Sequence, residues 1–142
     1  MVSETRIDVR YPDTDAMGIV HHAVYPIWYE VARMDYFAQI GFPYTAMHAL
    51  GINPPMVNLN VNFKATVSYP ATVTVRTRCI AFGPKKLKLG YETIDESGTV
   101  VNTAETFHIW TGPDNRSIRL DEAVPDVYAR FRTDIGTEKE TL

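Results

Sequence analysis

The densest run of chemically capable side chains lies between Tyr11 and Arg33. Two carboxylates, Asp13 and Asp15, stand among turn-forming residues, Gly18 follows, and His21 and His22 come just before a stretch of helical periodicity. A carboxylate at a helix N-terminus meets unpaired backbone N–H groups and the positive end of the helix dipole. The same N–H groups can polarise a carbonyl and hold the oxyanion that forms when it is attacked. A carboxylate beside that carbonyl can attack it directly or activate a water molecule. The arrangement therefore suits acyl transfer or hydrolysis. The competing reading of acids in this place is a helix cap, which uses the same N–H groups for stability alone. On the residues alone, both readings stand.

These residues need elements to hold them. Over Thr5 to Tyr11 the side chains alternate, with Ile7, Val9 and Tyr11 on one side and Arg6, Asp8 and Arg10 on the other, which predicts a half-buried strand. From about Tyr25 to Ile40 the set Ile27, Val31, Met34 and Ala38 recurs at helical spacing, widened by Trp28, Ala32 and Phe37. Pro26 suits the first turn of that helix and Gly41 its end. A shorter helix is expected over Tyr44 to Leu50, before Gly51. The remainder reads as strands over Met56–Phe63, Thr72–Phe82, Lys85–Asp95 and Thr99–Thr111, with turns at Gly83-Pro84 and Glu96-Ser97-Gly98. A closing helix is expected over Asp121 to Phe131, with Asp121 as its cap.

One long helix cannot cover both faces of a five-stranded antiparallel sheet, so the second face is expected to need another cover, for which a second copy is the natural candidate. The chain of 142 residues fits a single domain, residues 1–142. Its net charge of −3 gives no reason to expect nucleic acid as the main partner. Cys79 is the only cysteine, which excludes an internal disulfide. The polar start Met1-Val2-Ser3-Glu4 and the lack of a long apolar run give the expectation of a soluble, cytoplasmic protein.

The run Tyr11-Pro12-Asp13-Thr14-Asp15-Ala16-Met17-Gly18-Ile19-Val20-His21-His22, continuing through Tyr25 and Tyr29-Glu30-Val31-Ala32-Arg33, resembles the signature of the 4-hydroxybenzoyl-CoA thioesterase family. It is similar in particular to the Tol-Pal-associated acyl-CoA thioesterase branch. The resemblance implies an α+β hot-dog fold, a five-stranded antiparallel sheet wrapped around one long central helix. It implies hydrolysis of an acyl-CoA thioester to free acid and CoA, without metal or separate cofactor. It also implies a homodimer joined by edge pairing into a continuous sheet, with a homotetramer formed back to back.

By the same resemblance, Asp15 matches the family's catalytic acid, as nucleophile or general base. The His22 N–H matches the group that binds the thioester carbonyl, and the His22 imidazole matches a histidine implicated in that branch. Gly18 matches the loop glycine, where a side chain would crowd the backbone or substrate. Lys85 and Lys86 stand where relatives place basic residues on CoA phosphates, although Leu87 follows where related sequences often carry Ser. Arg119 is a weaker candidate for the same task.

Plainer roles are expected elsewhere. Asp13 caps or braces the turn, His21 is a solvent or packing residue, and adjacent histidines are poorly placed to share one metal ion. Glu30 and Arg33, three residues apart on the helix, read as an ion pair. Trp28, Phe37, Phe63 and Cys79 read as core. Lys86 and Lys88 should share one face of their strand and Lys85 the other. Two other functions remain open: a hydratase or dehydratase acting on an acyl thioester, and a non-catalytic acyl-binding protein.

Overall fold

The strands form because β-branched and aromatic residues alternate with polar ones, and the computed structural model shows where each alternating face goes. It describes residues 1–135 and 140–141. Strand β1 (Ser3–Asp8) leads through a short 3₁₀ turn at Tyr11–Asp13 to helix α1 (Tyr25–Gln39) and helix α2 (Tyr44–Leu50). Strands β2 (Met56–Phe63), β3 (Thr72–Phe82), β4 (Lys86–Ile94) and β5 (Val100–Ile109) follow. Helices α3 (Leu120–Ala123) and α4 (Pro125–Ile135) and a two-residue strand β6 (Glu140–Thr141) complete the described chain.

The sheet order is β1-β3-β4-β5-β2, all antiparallel, with β6 adding in parallel to the end of β3. β1 and β2 are therefore the two edges of the five-strand path. The register puts Val73, Val75, Leu87 and Leu89 into the core under α1. The opposite face carries Arg76, Arg78, Glu92 and Glu105, with Asn58, Asn60 and Asn62 on β2. An antiparallel sheet can present such a polar face to water, so this face does not itself require the second cover expected from the element count.

Helix α1 buries the widening members of the expected stripe, Trp28, Ala32 and Phe37, but not its leading set. Ile27, Val31 and Met34 are 60%, 41% and 45% exposed, and Ala38 is exposed too. The buried face is Tyr25, Trp28, Tyr29, Ala32, Arg33, Tyr36 and Phe37. Large aromatic rings fill the space over the sheet, and the aliphatic set at the same helical spacing is left outside. Two further boundaries differ from expectation. β1 ends at Asp8, and Tyr11 is an exposed residue of the 3₁₀ turn. The closing helix is broken at Val124-Pro125 into α3 and α4, because proline removes a donor and restricts the residue before it. Arg119, not Asp121, holds the N-cap position of α3.

The core is densest where α4 returns to the sheet. The Phe131 ring stacks on Phe82 at 4.8 Å and lies 6.1 Å from Trp110 and 6.0 Å from Phe37, centroid to centroid. Cys79 is fully buried, as expected of a small hydrophobe in a strand. Phe63 is not core: its ring is half exposed and touches Tyr25 edge-on at 5.7 Å. Gly51 ends α2 with φ 66°, the left-handed conformation that favours glycine.

Candidate active site

The loop between the 3₁₀ turn and α1 is fastened at several points by its own backbone. The Gly18 N–H donates to the Asp15 carbonyl and the Asp15 N–H to Ile19, both at 2.9 Å, closing a tight turn. Gly18 has φ 77°, so the turn requires glycine there for its backbone conformation. Open space surrounds the position of a Gly18 side chain, so crowding by the protein is not the reason for the glycine. The Val20 N–H reaches the Val67 carbonyl at 2.8 Å, and the His21 N–H reaches that of Asp13 at 2.9 Å.

The two acids do different work. Asp13 is buried and accepts the Arg10 guanidinium at 2.8 Å through Oδ1 and the Arg10 N–H at 2.8 Å through Oδ2. Burial opposes its ionisation, but the Arg10 bonds and charge prevail and hold its carboxyl below the usual range. It braces the turn, as expected. Asp15 is half-buried, and its Oδ1 accepts the Met17 N–H at 2.8 Å. Neither acid caps α1: the N-cap is Val24, with no side-chain cap bond, and no acid lies in the first turn. The capping alternative thus does not describe Asp15.

His21 anchors the step into the helix, its Nδ1 accepting the Ala23 N–H at 3.0 Å and its ring stacking on His22 at 4.1 Å. The His22 side chain is exposed, and its backbone N–H makes no hydrogen bond among the described residues. Asp15, Gly18 and His22 thus share one loop at the start of α1. Among the described residues no three His, Cys, Asp or Glu side chains converge as metal ligands.

The lysines lie elsewhere, where β4 begins. Lys85 and Lys86 are exposed, and the Lys86 ammonium sits 5.9 Å from the Phe107 ring centre. Lys88 shares that outer face and pairs with Glu105 at 2.6 Å. Leu87 is buried between them. Arg119 is taken up by Asp121 at 2.8 Å and Glu122 at 3.3 Å.

A second constellation was not legible as a site. A cavity of about 490 Å³ opens between α1, α2 and the segment leading into β2, lined by residues including Glu30, Arg33, Tyr44, His48 and His108. Glu30 and Arg33 form no ion pair. Arg33 is buried, and its Nη1 donates to the Tyr91 hydroxyl at 3.2 Å. The Tyr91 hydroxyl lies 2.9 Å from Thr106 Oγ1, which lies 2.7 Å from His108 Nε2, while His108 Nδ1 lies 2.8 Å from the Pro54 carbonyl.

The direction of this chain follows from its ends. A carbonyl can only accept, so His108 carries its proton on Nδ1. Burial pushes the His108 pKa down to about 4, with Arg33 adding to the shift and Pro54 opposing it, so the ring is neutral at pH 7. His108 Nε2 must then accept from Thr106, Thr106 must accept from Tyr91, and Tyr91 must accept from Arg33. The available sequence signal was spacing: Arg33 stands four residues from both Tyr29 and Phe37, on the buried stripe.

With fold and loop in place, comparison with known proteins gives the family. The model of the Thioesterase-like superfamily matches residues 9–131. A Bacillus subtilis protein, YneP, provisionally called an acyl-CoA thioesterase, is 33% identical over 131 residues, 92% of this chain and 95% of its own. The 4-hydroxybenzoyl-CoA thioesterase of Pseudomonas sp. strain CBS-3 is 32% identical over 75 residues, 51% of this chain and 52% of its own. The crystal structure of a DHNA-CoA thioesterase from Staphylococcus aureus superposes with a TM-score of 0.88 at 35% identity, covering 99% of both chains. The chain belongs to the thioesterase-like superfamily and has the hot-dog fold.

Proposed function

We propose that the protein is an acyl-CoA thioesterase in which Asp15 acts on the thioester carbonyl. The observation that carries this reading is the loop before α1. It holds a carboxylate that does not cap α1 and commits one oxygen to the Met17 N–H, and it leaves the His22 N–H unbonded among the described residues. A thioester carbonyl accepting that N–H would have its developing negative charge stabilised there. Asp15 then attacks the carbonyl carbon, or takes a proton from the water that does. Direct attack breaks the C–S bond and leaves an acyl–Asp15 anhydride that water then cleaves, whereas in the general-base route water itself displaces the sulfur. In both, one water molecule is consumed, its oxygen entering a carboxyl group and a proton ending on the CoA thiol. The His22 imidazole, exposed beside His21, is placed to tune proton movement. Lys85 and Lys86 are assigned to the CoA phosphates.

The assembly proposed is a homodimer joined through β2, with a back-to-back tetramer as its extension. Support comes from the edge itself: Val57, Leu59 and Phe63 are 52%, 40% and 54% exposed on a strand with an unpaired side. The exposed aliphatic stripe of α1 adds to the apolar surface. Met56 borders the cavity at one end of β2, and Phe63 packs on Tyr25 at the start of α1 at the other. Two β2 strands paired antiparallel about a two-fold axis would set the cavity of one copy beside the Asp15 loop of the other.

The test is release of free thiol from a panel of acyl-CoA esters. Thiol release that disappears in a folded Asp15→Asn variant is the expected result. Hydration of an enoyl thioester with no thiol released would move the protein to the hydratase class. No turnover on any ester would leave only acyl binding.

A further inference from the structure

A guanidinium is costly to bury without an anion. Arg33 is 5% exposed, and the groups that face it are the phenols of Tyr91 and Tyr44 rather than a carboxylate. Its Nε–H is buried with no acceptor among the described residues. Glu30 also lines the cavity, yet it is exposed at the rim and does not pair with Arg33 among the described residues. The folded chain thus keeps a cation at the wall of a cavity of about 490 Å³, within the size range of small-molecule sites.

The directed chain of hydrogen bonds restricts what this cavity can offer. The Tyr91 proton is committed to Thr106, the Thr106 proton to His108, and the His108 Nδ1 proton to Pro54. None of these donors is left for a ligand. The remaining donors at the cavity are the guanidinium, the Tyr44 hydroxyl, His48 and Asn53. Apart from Glu30 at the rim and the committed His108, the rest of the wall is apolar, with Met47, Pro54, Pro55 and Met56. A ligand suited to it has an apolar body and an oxygen that accepts hydrogen bonds at its inner end.

We propose that this cavity receives the end of the acyl group remote from the thioester, and that it selects acyl groups carrying an acceptor oxygen there, bound by Arg33. The oxygen belongs either to a terminal carboxylate or to a ring hydroxyl. The inference rests on the thioesterase reading and on pairing through β2. The cavity borders the Met56 end of β2 and the Asp15 loop lies towards the Phe63 end, so antiparallel pairing of two β2 strands would bring the second copy's loop to the cavity mouth. The Asp15 loop lies at the Phe63 end, since Ile19 bridges to Ser68.

The experiment compares kcat/KM within two matched pairs, hexanoyl-CoA against adipoyl-CoA and benzoyl-CoA against 4-hydroxybenzoyl-CoA. In the wild type, the oxygen-bearing member of at least one pair should be preferred by about tenfold or more, mostly through KM. Preference for adipoyl-CoA identifies a carboxylate, and preference for 4-hydroxybenzoyl-CoA a ring hydroxyl. In Arg33→Met, the preferred pair should fall to within about twofold of parity. Should Arg33→Met fail to fold by circular dichroism, Tyr44→Phe decides instead. It should lower the kinetic preference about threefold or more. Equal values within both pairs, or a preference that survives in the variants, overturn the inference and leave the thioesterase standing. Failure of all four esters to release thiol instead removes the thioesterase reading and this inference with it.

Discussion

The Asp15 carboxylate accepts the Met17 N–H through Oδ1 at 2.8 Å, so the loop that begins at Asp15 also fixes the direction of its side chain. Oδ2 is left uncommitted among the described residues. Asp15→Asn keeps the shape and one acceptor oxygen while removing the charge and the basic lone pair. Turnover should fall at least ~100-fold, the scale for loss of an acid–base or nucleophilic group. Asp13→Asn should cost less activity and instead lower stability modestly, because it weakens a pair with an exposed arginine. Thiol-release kinetics and urea unfolding on both variants measure this, and the reverse ranking would mean that Asp13 is the catalytic acid.

The route from sequence to this loop was short, and the reason is local. Turn residues, a required glycine and a helix start are all encoded within a dozen positions, so Asp15, Gly18 and His22 could be placed in one loop before any packing was known. The succession of strands along the chain was legible for the same reason, since Gly83-Pro84 and Glu96-Ser97-Gly98 punctuate alternating runs, but the order β1-β3-β4-β5-β2 in the sheet was not. Packing is legible only in part: Trp28, Ala32 and Phe37 are buried as expected, and the aliphatic set beside them is not. Ile27, Val31 and Met34 have the same period as Tyr25, Trp28, Tyr29 and Phe37, and periodicity alone does not say which of two apolar stripes meets the sheet. Spacing alone pairs Arg33 with Glu30, whereas its partner Tyr91 lies 58 residues away in sequence, across the core.

His22 separates backbone from side-chain chemistry. Its N–H is independent of the side chain, so His22→Ala should keep measurable activity with a moderate loss. A drop of orders of magnitude with a changed pH profile would make the imidazole a proton carrier. Unchanged activity would leave the N–H alone in that role. Steady-state rates across pH 5 to 9, about the range where histidine titrates, distinguish these results.

Lys85 and Lys86 stand at the end of a hairpin with their charges in solvent. Lys85→Ala combined with Lys86→Ala should raise KM for acyl-CoA more than it lowers kcat, and the effect should shrink with added salt. A small thioester without the nucleotide should be almost unaffected. Equal losses on both substrates would remove the phosphate assignment.

The β2 edge is tested by charge. Leu59→Lys places an ammonium on an exposed apolar edge position, a device that blocks edge pairing. Light scattering should show a dimer or tetramer for the wild type and a monomer for Leu59→Lys, with thiol release lost in the monomer. A fully active monomer would remove the shared site.

His108 makes stability depend on pH in a defined direction. Its folded pKa of about 4 lies below the ordinary 6.5, so the unfolded chain binds the extra proton first as pH falls. The contribution is fully present above pH 6.5 and is lost between 6.5 and 4, on the order of 3 kcal/mol in all. Urea unfolding of the wild type should therefore show stability falling through this window. His108→Gln should flatten that part of the curve, and an unchanged slope would mean that the ring is not held neutral.

The string from Arg33 to Pro54 has only one proton arrangement, because its last member is a carbonyl and its first a guanidinium, and neither can exchange roles. Four side chains on one helix and two strands are therefore a single unit for sequence change. Replacing Tyr91 by Phe or Thr106 by Val cuts the string and strands a buried donor or acceptor on each side of the gap. Libraries that randomise one of these positions should return the native residue, whereas libraries that randomise all four together should also return wholly apolar solutions that fold well and have lost the cation at the cavity.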